Sequence, residues 1–185
     1  MSRDCQSGSD SRRRGRSHIV IPAGAAFGTG QHPTTAMSLR LLERLTRRWK
    51  PGWSMLDLGT GSGIFALASR CFGARQIIAM DIDPVAISTA KGNAAINRLT
   101  GIQFIVADVL RCRVSQRIDV VTANLFSELL IEIIPKISHA SWLILSGIMR
   151  AQEQEVANAL RQSGFRVVTV RRRGKWMAAT ATMDR

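Results

Sequence analysis

The sequence predicts an α/β fold in which a mostly parallel sheet ends in an antiparallel edge. From residue 54 onward, short apolar segments alternate with amphipathic ones, a pattern typical of a parallel sheet covered by helices on both faces. The last two apolar segments are separated only by a short turn at Gly174, so they should pair as an antiparallel hairpin. A length of 185 residues with 45% hydrophobic content suits one domain with a buried core.

The N-terminal region precedes this alternation. Residues 1–17 are rich in Arg and Ser and poor in hydrophobic side chains, which predicts a disordered basic tail followed by one domain over residues 18–185. Residues 19–21 are predicted to form a short strand stopped by Pro22. The Gly-rich residues 23–33 are predicted to be a loop.

The remaining elements follow from hydrophobic periodicity and from the residues at their ends. Thr34 is in position to cap a helix that turns Met37 inward and Arg40 outward. Pro84 suits the first turn of a later helix, and Pro135 should kink another. The predicted strands are residues 54–57, 76–80, 102–107, 118–123, 142–146, 165–172 and 176–182, and the further helices are residues 63–72, 84–97, 127–139 and 151–163.

The charge of the chain is strongly basic. Lys and Arg number 26 against 13 Asp and Glu, a net charge of +13, and residues 161–175 contain no acidic side chain at all. A field of this sign attracts polyanions, so the charge favours proximity to nucleic acid or to a ribosome. A solvated tail and a solvated strand face are the alternative explanation.

Other features of the composition exclude several classes of protein. No apolar run approaches the ~20 residues that span a bilayer, and no apolar segment follows the basic tail as in a secretory signal. These features predict a cytoplasmic protein without a membrane partner. Cys5, Cys71 and Cys112 form no close pair, which argues against a disulfide framework and against a metal site.

A glycine-rich turn follows the first strand of the regular alternation. Residues 57–63 include Gly59, Gly61 and Gly63, which allow a sharp bend and a close approach of a ligand to the backbone. The second strand ends at Asp81, where a carboxylate can accept hydrogen bonds from a ribose diol. The glycine turn and Asp81 together predict a site for an adenosine-type cofactor. A tight turn with a purely structural role is the alternative.

The spacing of the glycines separates the possible cofactors. Dinucleotide sites use G-x-G-x-x-G around a pyrophosphate, whereas this turn has G-x-G-x-G preceded by Asp57. The Asp57 carboxylate would repel a pyrophosphate but can meet a cationic amine. S-adenosylmethionine carries an ammonium and a sulfonium but no phosphate, so the turn favours this cofactor. The absence of a Gly-Lys-Ser/Thr sequence excludes a P-loop.

Polar residues at three further positions are candidates for the same site. Asp108 follows the third strand and can accept a hydrogen bond from an adenine amino group, or it can act as a helix N-cap. Asn124 follows the fourth strand, where its amide can orient an acceptor nitrogen; a loop or cap role is the alternative. His32 either fixes the Gly-rich loop by a hydrogen bond or touches the acceptor.

Together with the loop before the first helix, these motifs resemble the ribosomal protein L11 methyltransferase family. The resemblance rests on P-G-x-A-F-G-T-G-x-H-x-T-T, D-x-G-x-G-S-G, D-I-D-P, V-x-A-N-I-L and L-S-G-I patterns, which match residues 22–35, 57–63, 81–84, 121–125 and 145–148. It implies a Rossmann-like, seven-stranded S-adenosylmethionine-dependent methyltransferase domain. It also implies cofactor contacts at Thr35, Gly59, Asp81 and Asn124, with helix capping as the alternative for Thr35.

The resemblance further implies N-methylation of lysine side chains and an α-amino group on a ribosomal protein. Members of that family carry a separate N-terminal domain that recognises the ribosomal substrate, where this chain has its basic tail. The chain is therefore expected to be a dissected catalytic domain or a shorter relative with another substrate. Asn124, Leu125 and Phe126 also replace the usual N-I-L at the acceptor rim.

Three functions remain open from the sequence. The first is a protein N-methyltransferase that acts on lysine or N-terminal amines, with Asn124 as the catalytic residue. The second is an RNA methyltransferase, which the charge favours, although the N-P-P-Y type of motif common in enzymes that methylate planar nitrogens is missing after Asn124. The third is a non-catalytic module that binds S-adenosylmethionine. The oligomeric state is not predicted.

Overall fold

The computed structural model describes residues 18–22, 30–111 and 117–184. The predicted disordered tail over residues 1–17 and most of the predicted loop, residues 23–29, lie outside the described residues. Within the described ranges, no helix combines the length and the apolar character needed to cross a membrane.

Among the described residues, seven strands form one sheet in the order β3-β2-β1-β4-β5-β7-β6. The strands are β1 Ser54–Leu58, β2 Gln76–Asp81, β3 Ile102–Val106, β4 Ile118–Asn124, β5 Ala140–Met149, β6 Phe165–Arg173 and β7 Trp176–Met183. The helices are α1 Pro33–Thr46, α2 Ile64–Cys71, α3 Pro84–Ile96, α4 Ser127–Ile133 and α5 Glu153–Gln162. Strands β1 to β5 pair in parallel, and β7 pairs antiparallel with both β5 and β6. The predicted sheet and its antiparallel edge are confirmed.

Each face of the sheet has its own core because side chains alternate along the strands. Leu56 and Leu58 of β1 pack with α4 and α5, whereas Met55, which precedes Leu56, packs with α1 and α2. Helix α3 joins the second layer, since its Ala94 packs with Leu67 of α2. The sheet is thus covered on both sides, as the apolar strands predict.

The helix predicted over residues 127–139 is interrupted near Pro135, as expected, but its α-helical part is shorter than predicted. Helix α4 ends at Ile133, and a 3₁₀ helix, Ile134–Ile137, continues the chain. A second 3₁₀ helix, Arg150–Gln152, precedes α5. Proline lacks the N–H that an α-helix needs at this position, so the chain tightens there instead of continuing.

The strand predicted at residues 19–21 is wrong. The side chain of Asn97, just after α3, bonds both backbone groups of Val20. The Val20 N–H donates to Asn97 Oδ1 (2.7 Å), and Asn97 Nδ2 donates to the Val20 carbonyl oxygen (2.8 Å). An amide side chain therefore takes the place of a neighbouring strand. Ile19 and Ile21 are apolar because they pack against the α1–α2 layer, not because they belong to the sheet.

The predicted cap of α1 is also wrong. His32, not Thr34, is the N-cap: its Nδ1 accepts a hydrogen bond from the Thr34 N–H and lies 2.7 Å from Thr34 Oγ1. Pro33 is the first helical residue, where a missing N–H costs nothing. The His32 ring also packs edge-on against Trp176, with ring centroids 5.2 Å apart. His32 thus caps the helix through a local hydrogen bond, and its contact with the Gly-rich loop or with an acceptor stays a prediction.

Candidate functional site

The candidate site lies where β1 and β4 meet at the centre of the sheet. Strands β2 and β3 extend the sheet on one side of this pair, and β5, β7 and β6 extend it on the other. Such a reversal of strand order opens a crevice beyond the carboxyl ends of the two strands. The glycine turn follows β1 and Asn124 ends β4, so both border this crevice.

The glycine turn has a backbone that only glycine adopts readily. Gly59, Gly61 and Gly63 have φ angles of +70°, +53° and +82°, which are costly for residues with a Cβ. The Gly59 N–H donates to the Met80 carbonyl oxygen (2.9 Å), which ties the turn to the end of β2. Gly63 is the N-cap of α2, so the free N–H groups of that helix start beside the crevice.

Asp81 links the turn to the neighbouring strand. Its Oδ2 accepts a hydrogen bond from the Gly61 N–H (2.9 Å), and its Oδ1 accepts one from the Asp83 N–H (3.1 Å). An ionised carboxylate offers about four acceptor positions, so two hydrogen bonds leave capacity for a ligand. Asp81 thus shapes the turn and still presents acceptors at the carboxyl edge of the sheet.

Asp57 lies beneath the turn and is fully buried. Its carboxylate accepts hydrogen bonds from the hydroxyls of Thr60 (2.6 Å) and Thr122 (2.5 Å), which join the turn and β4. Burial raises the pKa of Asp57 from 3.8 to about 6, against the opposing effect of the hydrogen bonds from the two threonines, and the nearby Asp81 raises it slightly further. The carboxylate is thus a buried charge that holds the turn together rather than a surface ligand.

We expect Asp57→Asn to change the pH dependence of the free energy of unfolding. Between pH 3.8 and about 6, Asp57 is protonated in the folded chain but mostly ionised in the unfolded chain. The stability from this proton is complete below the unfolded pKa and is lost as pH rises through the folded pKa. At neutral pH the charge therefore costs up to about 3 kcal/mol.

The Asn variant carries no such charge. Denaturant unfolding over a pH series should show that the variant gains stability relative to the parent chain as pH rises from about 4 to about 7. Contributions of other titrating groups cancel in this difference. A difference that stays constant with pH would contradict the buried, raised-pKa carboxyl.

Thr35 carries an unsatisfied polar atom. The residue is completely buried, and its Oγ1 has no hydrogen-bond partner in the described part of the chain. One helical turn later, Ser38 Oγ donates to Ser146 Oγ on β5 (2.7 Å), which fixes this side of α1 against the sheet. Buried hydroxyls normally find a partner, so Thr35 Oγ1 is a candidate contact for a bound ligand.

Asp108 has a local role in the structure. Its Oδ1 accepts a hydrogen bond from the Leu110 N–H (2.9 Å), and it forms an exposed ion pair with Arg111 (3.5 Å). The predicted capping function is therefore present, although it caps a turn and not a helix. Contact of Asp108 with an adenine ring remains a prediction.

Asn124 is held at the crevice by β5. It pairs with Ser146 in the sheet, and the Leu125 N–H donates to the Ser146 carbonyl oxygen (3.1 Å). Gly147, with φ of +85°, lies directly behind these residues. A Cβ at Gly147 would overlap the Leu125 carbonyl oxygen and approach Asn124 Oδ1 to 3.1 Å. The position of Asn124 therefore depends on the lack of a side chain at Gly147.

The rim of the crevice carries apolar side chains whose exposure was not predicted from the sequence. Ile82 after β2 and Phe126 after β4 are 67% and 72% exposed. Val106 at the end of β3 and Met149 at the end of β5 are exposed as well. Large exposed apolar groups gathered at one edge are typical of a ligand or partner site. In the sequence, the available signal for this rim was a large apolar residue at or just after the end of each of these strands, where a polar loop residue is usual.

Three other contributors had no assigned role before the structure. Thr60 and Thr122 hold Asp57, and Gly147 gives space to Asn124. Gly147 had a usable signal, because an isolated glycine within a strand often marks a close backbone approach. Thr60 and Thr122 had no such signal in the sequence, because their role depends on the pairing of β1 with β4.

The chain is similar to one family along most of its length. Residues 6–184 match the family model described as ribosomal protein L11 methyltransferase. A ribosomal protein L11 methyltransferase of Carboxydothermus hydrogenoformans is 38% identical over 170 residues, which are 90% of this chain and 55% of that protein. One of Streptococcus equi subsp. zooepidemicus is 36% identical over 168 residues, 89% of this chain and 52% of that protein. The chain thus spans about half the length of these relatives.

Solved structures share its fold. The ribosomal protein L11 methylase of Lactobacillus delbrueckii subsp. bulgaricus aligns with a TM-score of 0.82 and 32% identity, over 90% of this chain and 86% of that one. The magnesium protoporphyrin IX methyltransferase of Synechocystis, solved with bound S-adenosylmethionine, aligns with a TM-score of 0.66 and 16% identity, over 88% and 86%. The second likeness concerns the fold alone. The predicted Rossmann-like methyltransferase fold is confirmed.

Proposed function

Because the chain belongs to the ribosomal protein L11 methyltransferase family, we propose that it is an S-adenosylmethionine-dependent protein N-methyltransferase. The proposed acceptor is a lysine side chain or an N-terminal amine of a ribosomal protein, with L11 as the first candidate. The proposed methyltransferase domain is residues 18–185, and the proposed location is the cytoplasm. The observation that carries the proposal is the unsatisfied, buried Thr35 hydroxyl. It lies one helical turn before Ser38, which bonds to Ser146 on β5, the sheet partner of Asn124.

The residues around the crevice fit S-adenosylmethionine. Asp81 would accept the ribose hydroxyls, and Gly59 and Gly61 let the ligand approach the backbone closely. The buried charge of Asp57 lies below the turn and favours a cationic ammonium above it. Thr35 Oγ1 would gain the hydrogen bond that it lacks. The fit supports this cofactor because the carboxylates of Asp57 and Asp81 suit a cationic ligand better than a phosphate.

The chain's own residues have a limited chemical task. When bound, S-adenosylmethionine supplies an activated methyl group, so the protein needs mainly to align and desolvate the acceptor. Asn124 at the end of β4 would orient the acceptor nitrogen. The exposed ring of Phe126 gives an apolar wall beside it, and an apolar environment lowers the pKa of an amine from about 10.4. The neutral, nucleophilic amine then forms without a dedicated base.

We expect Thr35→Val to separate cofactor binding from folding. Valine has the same shape and removes a buried hydroxyl that has no partner, so the free energy of unfolding without ligand should stay equal or rise by about 1 kcal/mol. The affinity for S-adenosylmethionine should fall about tenfold, the value of one lost hydrogen bond. Calorimetric titration and denaturant unfolding measure the two quantities.

Thr34→Val is the matched control. Thr34 is equally buried, but its hydroxyl is already bonded to His32. This variant should lose about 1 kcal/mol of stability and keep its cofactor affinity. The reverse outcome, with Thr35→Val destabilised and its affinity unchanged, would show that the Thr35 hydroxyl serves the fold alone.

The function is tested by the transfer of a labelled methyl group. The chain is incubated with labelled cofactor and with purified ribosomal protein L11 or naked ribosomal RNA, and an Asn124→Ala variant runs in parallel. We expect label on amine groups of the protein and its loss in the variant. Label on RNA only would replace this proposal by the RNA methyltransferase. Tight cofactor binding without transfer to any fraction would indicate a non-catalytic module.

A further inference from the structure

Charge is divided unequally between the two faces of the sheet. The layer of α1, α2 and α3, with the turns that follow them, comprises residues 33–50, 64–75 and 84–98 and contains nine Lys and Arg against one acidic residue. The opposite layer, residues 127–162, contains three against four. The positive charge of the described domain is thus concentrated on one face.

The most basic part of that face lies on the second half of α1 and in the turn that follows it. This part, called the arginine face below, consists of Arg40, Arg44, Arg47 and Arg48. All four are exposed, because Met37, Leu41 and Leu42 turn the opposite side of the helix into the core. Arg40 and Arg44 lie one helical turn apart on α1, about 6 Å along its axis, and Arg47 and Arg48 follow directly after the helix. Exposed Glu43 is the one acidic residue among them and offsets part of their mutual repulsion. The arginine face therefore keeps an excess of positive charge.

Strand β6 adds positive charge on the same side. Arg172 reaches the α5 side, where it pairs with Glu153. Its neighbours Arg171 and Arg173 alternate to the α1 side. Helix α1 contacts β6, and Arg171 Nε is buried without a hydrogen-bond partner among the described residues. The α1 layer thus also contains a guanidinium donor for which the described chain supplies no acceptor.

The chemistry of this surface fits one class of polyanion best. Guanidinium groups bind phosphate oxygens with paired hydrogen bonds. None of the exposed large hydrophobic residues in the described ranges lies on α1, so the arginine face has no apolar group to insert into a membrane. Trp49, just after α1, is half-buried against Trp53, so its ring is not offered for stacking on single-stranded bases. Among the polyanions considered, duplex RNA therefore fits this surface best, because proteins recognise it by its phosphates and its shape.

We propose that the arginine face binds the phosphate backbone of double-stranded RNA. The first half of α1 is bonded to β5 through Ser38 and Ser146, next to Asn124, and the arginine face lies at the other end of the helix. RNA bound to the arginine face would therefore keep the crevice close to a ribonucleoprotein while the RNA itself stays outside the crevice. The proposal needs no methyl transfer and stands or falls independently of the acceptor.

The test measures binding of a fluorescent RNA hairpin to the full chain by anisotropy at several salt concentrations. Three variants with the same loss of four charges are compared: Arg40, Arg44, Arg47 and Arg48 to Gln; Lys136, Arg150, Arg161 and Arg166 to Gln; and the tail residues Arg12, Arg13, Arg14 and Arg16 to Gln. Cofactor titration and thermal unfolding confirm that each variant folds.

We expect the first variant to lose at least about tenfold in affinity and to lower the salt slope by about 3, since each lost phosphate contact contributes slightly under 1. The other two should change affinity far less. Equal losses of affinity in all three variants would show that net charge alone binds RNA. A loss confined to the tail variant would show that RNA binds the tail and not the arginine face. Tighter binding to anionic phospholipid vesicles or to polyglutamate than to RNA would also overturn the proposal.

Discussion

Asp81→Ala is expected to abolish measurable binding of S-adenosylmethionine. The alanine removes the proposed charged acceptor for the ribose hydroxyls, and hydrogen bonds to a charged group contribute about 1.5–3 kcal/mol each. It also removes the acceptor of the Gly61 N–H, so the turn loses one of its fixed contacts. Together these losses correspond to more than about a 100-fold weaker affinity. Calorimetric titration of the folded variant measures it.

Two further variants separate charge from geometry. Asp81→Asn keeps an oxygen for the Gly61 N–H but loses the charge, so its affinity should lie between those of the parent chain and Asp81→Ala. Asp83→Ala is the matched control: Asp83 caps α3 two residues away and accepts a hydrogen bond from the Val85 N–H. It should lower stability by about 1 kcal/mol and leave affinity unchanged. Unchanged affinity in Asp81→Ala would mean that the cofactor site has been misplaced.

Gly147→Ala is expected to remove methyl transfer almost completely. The new Cβ would overlap the Leu125 carbonyl oxygen, so the segment after β4 must move and take Asn124 with it. A displacement of about 1 Å at an aligning residue can cost about 100-fold in rate. The left-handed φ of +85° adds a backbone penalty of about 1–2 kcal/mol. Turnover and unfolding free energy are measured on the same preparation.

Gly174→Ala isolates the backbone penalty. Gly174, in the turn between β6 and β7, has φ of +59°, and a Cβ there would meet no atom within 4 Å. This variant should lose about 1–2 kcal/mol of stability and retain its turnover. If both variants lost the same stability and both stayed active, the close approach of Gly147 to the acceptor rim would have no functional role.

Sequence reasoning reached most of the fold because its evidence was local. The apolar runs from residue 54 onward, Pro84 and the glycine turn each report on a few neighbouring residues, and they lie in the predicted elements. The segment at residues 19–21 misled because its apolar residues pack on helices while Asn97, far along the chain, satisfies the Val20 backbone. An interaction between a loop and a distant amide leaves no periodic signal.

For the site, the sequence indicated positions but not contacts. Asp57 was expected to face a cationic amine, and the structure shows its carboxylate buried and bonded to Thr60 and Thr122. The burial of a carboxylate depends on how three segments pack, which composition and spacing do not report. The sequence placed Phe126 at the acceptor rim, but the exposure of its ring was not predicted, because exposure is a property of the assembled edge.

The hydrogen bond between Asp57 and Thr122 also bears on how the protein is made. The two residues are 65 positions apart, and translation adds about 5–20 residues per second, so Thr122 is synthesised roughly 3–13 s after Asp57. During that interval β1 can pair with β2 but lacks its other neighbour. The Asp57 carboxylate stays hydrated, and the glycine turn lacks the contact with β4 that Thr122 provides through Asp57. We therefore expect a nascent chain to hold no cofactor until β4 has left the exit tunnel.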